Sequence, residues 1–534
     1  MADLSLSLVS HTNVGKTTLA RTLLGRDIGE VRDAAHVTET VEPHPMVESP
    51  AGDRLLLWDT PGFGDSLRLA RRLAQAGSPL GWLLSEVWDR WRDRAFWASQ
   101  RAIRHVLEQA DVALYLVNAA EAPEDAGYLA PELQVLGLLG KPVIVLLNQL
   151  GEPGAPGDEA AQLQRWRSHL DALASQAAAA GLAPARLHAV LPLDAFTRCW
   201  LQEAVLLQAV AEALPAQSRA AMDRLAAAWR ARQQATFGAA MQALAGRITR
   251  AALDRERVPD GGWRAPLRQV GQRLGQLFGR STDDGDNPQA QAMAALADRL
   301  DADIRRSTET LIRLHRLQGD AAGEVLDRLA RHFARREPVN EGRAALWGGL
   351  VTGALAGLKA DLASGGLTMG GGLLAGGVLG ALGAAGAARG VNRVRGLDQP
   401  LLAWDEPVLD ALLRSALLGY LAVAHHGRGR GEWRQGDAPP AWEAAVDESL
   451  AEHDEARSSL WQRRARLLAT PPRRQGLADD EAGPVGRGRP AEVEAPEDFS
   501  ADMATLMDSL GGAVLQRLYP EAAALAGLSI SPRP

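Results

Sequence analysis

The sequence predicts an α/β domain with a mostly parallel sheet and helices on both faces, followed by a large all-α region. Three observations carry that reading. An alternating apolar run, Leu4, Leu6, Leu8 and Val9, leads into the loop Ser10-His11-Thr12-Asn13-Val14-Gly15, then Lys16-Thr17-Thr18 and the helical stretch Leu19 to Leu24. Two continuous apolar runs, Asp111 to Asn118 and Pro142 to Leu147, are separated by a helical segment. Such runs mark parallel strands buried on both faces by crossover helices. From Ser218 onward, Ala, Leu, Arg and Gln recur with helical periodicity.

Strand, glycine-bearing loop, Gly-Lys-Thr and helix together are the context that a phosphate-binding loop requires. The backbone N–H groups of such a loop point inward at phosphate oxygens, helped by the helix N-terminus. Lys16 is then placed for the β- and γ-phosphates and the Thr17 hydroxyl for magnesium. The first glycine of the usual pattern is replaced by Ser10. The chain has only three lysines (16, 141 and 359), so a lysine directly after Gly15 is not a by-product of composition.

A chain of 534 residues exceeds one hydrophobic core, and about two to four domains are expected. A net charge of −7 argues against a general nucleic-acid binder. The single cysteine, Cys199, excludes internal disulfides and multi-cysteine zinc sites and suits a reducing cytosol. Asp3 and a strand-like start stand where a secretory signal would need basic and apolar regions, so a cytoplasmic protein is expected.

After the first helix, Gly25 to Pro45 is polar and holds Thr38 and Thr40, either of which suits a loop closing over a γ-phosphate. The run Arg54-Leu55-Leu56-Leu57-Trp58 reads as a buried strand that ends in Asp59-Thr60-Pro61-Gly62. An acid at that strand end can bind magnesium through water, and the Gly62 N–H is placed to sense the γ-phosphate. Together, Asn13-Val14-Gly15-Lys16-Thr17 and Asp59-Thr60-Pro61-Gly62 resemble the Era-like branch of the translation-factor-class GTPases (the TrmE, Era, EngA and septin group), over about the first 200 residues. The resemblance implies a P-loop NTPase fold that binds GTP and GDP with Mg2+. It implies that Val14, Gly15, Lys16, Thr17 and Thr18 hold the phosphates, and that Thr17, Thr38 and Asp59 organise the metal. Lys16, Thr38 and Gly62 would serve the hydrolytic step. Phe63 stands where Ras-type proteins carry a catalytic glutamine, as in this hydrophobic-substituted branch. Asn13 matches an asparagine that some members use to hold K+, and its other reading is a cap of the loop. Equal turnover in potassium and sodium would remove the first reading.

The strand at Pro142 to Leu147 ends in Asn148-Gln149-Leu150-Gly151, where the family has Asn-Lys-x-Asp. The missing aspartate is the one that recognises guanine. By the resemblance Asn148 is kept, Gln149 can stack over the base, and Asp194 in Leu193-Asp194-Ala195 is a candidate replacement carboxylate. A helical segment at about 158–181 and a strand at His188 to Leu191 complete a domain over residues 1–213. Inside it, the insertion at about 64–110 interleaves Trp82, Trp88, Trp91, Phe96 and Trp97 with Arg90, Arg92, Arg94 and Arg101. It reads either as a helix packing its aromatics on a neighbour or as a nucleotide-responsive surface for a partner or lipid.

Residues 214–468 read as a helical domain, with helices over Ala221 to Arg257, Pro288 to Phe333 (interrupted near Gly319) and Leu401 to Ala424. Within it, 344–388 carry Gly349, Gly353, Gly357 and Gly372, Gly376, Gly380 at four-residue spacing, a stripe that lets helix backbones approach closely. That glycine-zipper hairpin reads either as a membrane-inserting element on the cytoplasmic face of the inner membrane or as a soluble helix pair. The pair His425-His426 reads as a helix terminus. Residues 469–500 read as a flexible linker, and 501–534 as a C-terminal helical segment that docks back on the helical domain.

The expected function is hydrolysis of GTP as a switch acting on the helical domain. A protein partner and a nucleotide-dependent dimer are further candidates, and no basic module favours nucleic acid. The alternatives are a non-hydrolysing nucleotide-binding scaffold and a dynamin-like membrane remodeller.

Overall fold

In β1 (Asp3–Ser10) the sequence alternates leucine with serine, yet every residue after Asp3 is buried. The reason is position. β1 lies in the middle of a six-stranded sheet of order β2-β3-β1-β4-β5-β6, with β2 (Pro43–Glu48), β3 (Arg54–Asp59), β4 (Val112–Asn118), β5 (Pro142–Asn148) and β6 (Arg186–Pro192). All neighbours pair in parallel except β2 with β3. Helices cover both faces, so the buried serines need partners. Ser5 Oγ accepts from Trp58 Nε1 at 3.3 Å, and Ser7 Oγ meets His105 Nε2 at 3.1 Å. The structure, a computed structural model, describes residues 1–26, 28, 42–63, 66–75, 94–150, 156–195, 199–257, 288–317, 391–394, 401–426, 439–469 and 496–528. The expectations for Thr38, for residues 76–93 of the aromatic insertion, for the glycine hairpin 344–388 and for 470–495 of the linker lie outside these residues.

The chain divides into two compact units, 1–236 with 424–441 and 515–534, and 237–423 with 442–514. The first unit contains the sheet and the helices α1 (Lys16–Leu24), α2 (Ser66–Gln75), α3 (Arg94–Gln109), α4 (Leu129–Leu139), α5 (Pro156–Ala179) and α6 (Trp200–Ala213). Val9, Phe63, Ile103, Tyr115, Leu133, Val145 and Trp166 lie in one of its buried clusters. Five of the strands and α5 fall where the apolar runs predict them. The exception is β2, in the stretch that reads as polar. Pro43 and Pro45 are compatible with it only because it is an edge strand, paired on one side.

Helix α7 (Ala216–Leu253) begins in the first unit and ends four residues before the predicted Arg257, because Glu256–Arg257 form a short strand, β7. In the second unit β7 joins β8 (Val391–Val394) and β9 (Leu401–Trp404) in a small antiparallel sheet of order β7-β9-β8. The expectation of a helix from Leu401 is therefore corrected: α9 runs only over Glu406–Ala424. Asp405 sets that start, its Oδ1 accepting the Val408 N–H at 3.0 Å as an N-cap. Helix α8 (Pro288–Leu314) stops before Gly319, at Arg316 with its left-handed φ of 57°. The second unit also holds α10 (Pro440–Glu452), which begins at its border, and α11 (Asp454–Ala469). Among the described residues α9 alone is long and apolar enough to cross a membrane, and 67% of its most apolar stretch is buried within the protein. The last two helices are α12 (Pro496–Leu518), five residues earlier than Ala501, and α13 (Pro520–Leu525). The expected docking of 501–534 on the helical domain divides: α12 as far as Val514 falls in the second unit, whereas α13 falls in the first and packs on α6. The helix-terminal His425 stacks on Tyr519, at 5.6 Å between ring centroids.

Candidate nucleotide-binding site

Residues 11–15 join the central strand to α1, and two of them take left-handed backbone, Asn13 (φ 66°) and Gly15 (φ 95°). Left-handed residues curl a loop so that its N–H groups gather on the inner side, facing an anion. Gly15 has a second reason to be glycine: an added Cβ would lie 2.8 Å from Asn148 Nδ2. As N-cap of α1 it brings no side-chain hydrogen bond. The first N–H groups of that helix therefore remain an anion site of the kind phosphates use.

Ser10, in place of the usual first glycine, is fully buried. Its Oγ donates to the His11 carbonyl at 2.5 Å and accepts from Lys16 Nζ at 3.4 Å. The substitution is thus absorbed by a hydroxyl that steadies the lysine. Burial pushes the Lys16 ammonium below its ordinary pKa, while Asp59 and Glu132 pull it back up. A buried ammonium of this kind gains strongly from an arriving anion.

Asp59 ends β3 level with Leu8 of β1, and the Thr60 hydroxyl donates to the Leu8 carbonyl at 2.6 Å. Asp59 Oδ2 accepts from Thr17 Oγ1 at 2.6 Å. Its Oδ1 is buried and has no hydrogen-bond partner among the described residues. Burial raises the Asp59 pKa, and Lys16 and Thr17 oppose that rise. A carboxylate oxygen left without a partner beside a threonine hydroxyl fits a hydrated magnesium ion, with Thr17 and Asp59 as the residues to hold it.

Beyond Asp59 the chain turns along the phosphate loop. Phe63 N donates to the Ser10 carbonyl at 2.8 Å, and Thr12 Oγ1 donates to the Phe63 carbonyl at 3.2 Å. Gly62 lies so close that an added Cβ would approach Thr12 Cα to 3.1 Å. The Phe63 ring is buried among Val9, Leu69 and Tyr115.

On the far side of the loop, Asn148 is fully buried with both ends of its amide in use. Its Nδ2 donates to the Val14 carbonyl at 2.8 Å, and its Oδ1 accepts from Ala195 N at 2.8 Å. Gln149 takes a left-handed φ of 59°, and its Nε2 lies 3.9 Å from the point a Gly15 Cβ would occupy. Asp194 is buried, and its Oδ2 accepts the Leu150 N–H at 2.8 Å. The fold thus gathers Asn13, Val14, Gly15, Lys16, Thr17, Thr18, Asp59, Gly62, Asn148, Gln149 and Asp194 around one loop. Sequence reasoning overlooked Glu132, which meets His11 of that loop. Its only signal was a lone acid inside the apolar stretch Leu129 to Leu139.

Residues 5–149 match the family described as 50S ribosome-binding GTPase, and residues 180–482 match the domain of unknown function DUF3482. No curated protein matches the chain. Among solved structures, an Era variant from Aquifex aeolicus bound to GDP and aluminium fluoride is 20% identical, with a TM-score of 0.28. Era in complex with MgGDPNP and a segment of 16S ribosomal RNA is 21% identical, with the same TM-score of 0.28. Each alignment covers 40% of this chain and 58% of the Era chain, so the protein spans little more than half the length of these relatives. A probable GTP-binding protein engB is 15% identical over 36% of this chain and 88% of its own, with a TM-score of 0.22. The DUF3482 match extends over more than half of the sequence, and the chain belongs to that family, with a GTP-binding P-loop GTPase domain at its N-terminus.

Proposed function

We propose that the protein hydrolyses GTP to GDP and phosphate, and that the change of nucleotide acts as a switch on its helical region. The observation that carries this reading is the contact of Thr17 with Asp59, with the second Asp59 oxygen buried and unpartnered among the described residues, next to a loop curled for phosphate. Water attacks the γ-phosphorus in line, the bond to the β-bridging oxygen breaks, and GDP leaves with the electron pair. The loop N–H groups and Lys16 hold the β- and γ-phosphates and stabilise the charge that develops there. Thr17 and Asp59 orient the metal site, where magnesium supplies neutralisation of phosphate charge when bound. Gly62, packed against Thr12, would offer its N–H to the γ-phosphate. Thr38 keeps its sequence-based role as the threonine that closes over it. Phe63 points into the core, so water is oriented by backbone and metal shell, without a side-chain base at that position.

Calorimetry with GTP, GDP and ATP in magnesium, together with phosphate release, tests this on the wild type and Lys16→Ala. Binding and turnover of GTP that both fail in Lys16→Ala are the expected result. Tight binding without turnover would move the protein to the scaffold reading, and absence of binding would remove the nucleotide reading.

A further inference from the structure

One carboxylate near the site has no role in the reading above. Glu132, on α4, is fully buried within a helix whose neighbouring Leu129, Leu133 and Leu136 all face the core. An apolar side chain would suit that position, because a buried carboxylate is costly unless it is well paired. Both of its oxygens are paired, and the partners come from separate parts of the nucleotide unit. Oε1 meets His11 Nδ1 of the phosphate loop at 2.8 Å. Oε2 accepts the Tyr115 hydroxyl of β4 at 2.8 Å. Burial raises the Glu132 pKa, which His11, Tyr115 and Ser66 oppose, and α2, the helix that begins at Ser66, packs on α4. The His11 ring is held on its face as well, stacked on Tyr128 at 4.7 Å and 17°.

His11 transmits this grip to the phosphate site through its backbone. Its carbonyl accepts from Ser10 Oγ, the hydroxyl that takes Lys16, and its backbone bridges in parallel to Phe63. Three residues beyond Phe63 the chain reaches Ser66, where α2 begins. Glu132 therefore holds the phosphate loop directly, and its helix packs on α2, the helix that follows the second strip.

We propose that Glu132 is a positioning residue of the nucleotide site: its carboxylate ties the phosphate loop, through His11, to α4 and to the helix α2 packed on it after Asp59-Thr60-Pro61-Gly62, and so sets how fast bound nucleotide leaves. This rests on the reading of the site as a guanine-nucleotide site.

The test uses the full chain loaded with fluorescent methylanthraniloyl-GDP and magnesium, chased with excess GDP. Loss of a hydrogen bond to a charged group predicts release about tenfold faster in Glu132→Gln and in His11→Phe. His11→Phe keeps a ring for Tyr128 to stack on and removes the bond to Glu132 from the partly exposed side, so it serves if Glu132→Gln fails to fold. Because both changes remove one contact, the double variant is expected to release no faster than the faster single variant. Association is expected to change little, since changes within one site act mostly on release. Unchanged release in the single variants, or a multiplied effect in the double variant, overturns the proposal while leaving nucleotide binding intact. A wild type that takes up no probe overturns the nucleotide reading and this proposal with it.

Discussion

Asn148→Ala is the sharpest probe of how the two halves of the nucleotide site are held together. The side chain is fully buried and joins β5 to the phosphate loop (Nδ2 to Val14 O) and to the loop after β6 (Ala195 N to Oδ1), each at 2.8 Å. Truncation leaves a carbonyl and an N–H without their partners, and each buried orphan costs about 1–3 kcal/mol, so the sum is about 2–6 kcal/mol. For a unit of this size, that corresponds to a fall in melting temperature of about 5–15 °C. Asn148→Asp separates the two contacts. It keeps an acceptor for Ala195 N and sets a second oxygen against the Val14 carbonyl, so it should harm the phosphate loop at least as much as alanine does. Differential scanning fluorimetry with and without GDP and magnesium reads both effects, and the transition that GDP raises in the wild type identifies the nucleotide unit. A variant whose transition stays within experimental error of wild type, and which still binds GDP normally, would refute the bridging role.

Two further outcomes follow from the geometry. Gly15→Ala places a Cβ at φ 95° and 2.8 Å from Asn148 Nδ2, and left-handed alanine alone costs about 1–2 kcal/mol, so GDP affinity by calorimetry should fall about tenfold or more with the circular-dichroism spectrum retained. Burial against Trp58 holds His105 down at about 4 from an ordinary 6.5, so the unfolded chain binds the proton first. The stability from this group is complete above about pH 6.5 and is lost as pH falls towards 4; melting followed across that window should show a smaller loss in His105→Phe.

The parallel core was legible because its strands declare themselves as apolar runs, continuous in β3, β4, β5 and β6 and alternating with serine in β1. The phosphate loop was legible because its backbone geometry demands glycine at one point and lysine at the next. The missed elements lack such demands. β2 contains two prolines and a histidine and exists because β3 offers it an edge. β9 reads Leu401-Leu402-Ala403-Trp404, an apolar run as compatible with a helix as with a strand. Asp405-Glu406-Pro407 was the available signal, since a capping acid just before proline announces a helix start rather than a helix interior. Glu132 was illegible for a different reason: its partners His11, Ser66 and Tyr115 are distant in sequence, and no spacing rule brings them together.

The two halves of the site stand in different relation to the family pattern, and that difference bears on selectivity. On the phosphate side the described residues keep the pattern apart from Ser10: left-handed Asn13 and Gly15, Lys16 behind them, and Thr17 against Asp59. The base side departs. Gly151 replaces the aspartate that recognises guanine, and it lies outside the described residues. Asp194 is the nearest candidate substitute, yet it is only 4% exposed and one oxygen already orients the Leu150 N–H. Asn148 is likewise committed to Val14 and Ala195. A site that hydrogen-bonds a substrate group rejects analogues lacking it by about 10^4-fold or more, whereas shape alone discriminates by about 10–200-fold. With the Asp194 carboxylate and the Asn148 amide engaged inward, this site is expected in the second regime: GTP should still be preferred over ATP, by about a hundredfold or less. Competition of ATP against methylanthraniloyl-GDP measures the margin, and Asp194→Asn shows where it originates. A margin near 10^4 that collapses in Asp194→Asn would mean that Asp194 turns towards the base when nucleotide binds, and that the carboxylate missing at Gly151 is supplied from the other loop after all.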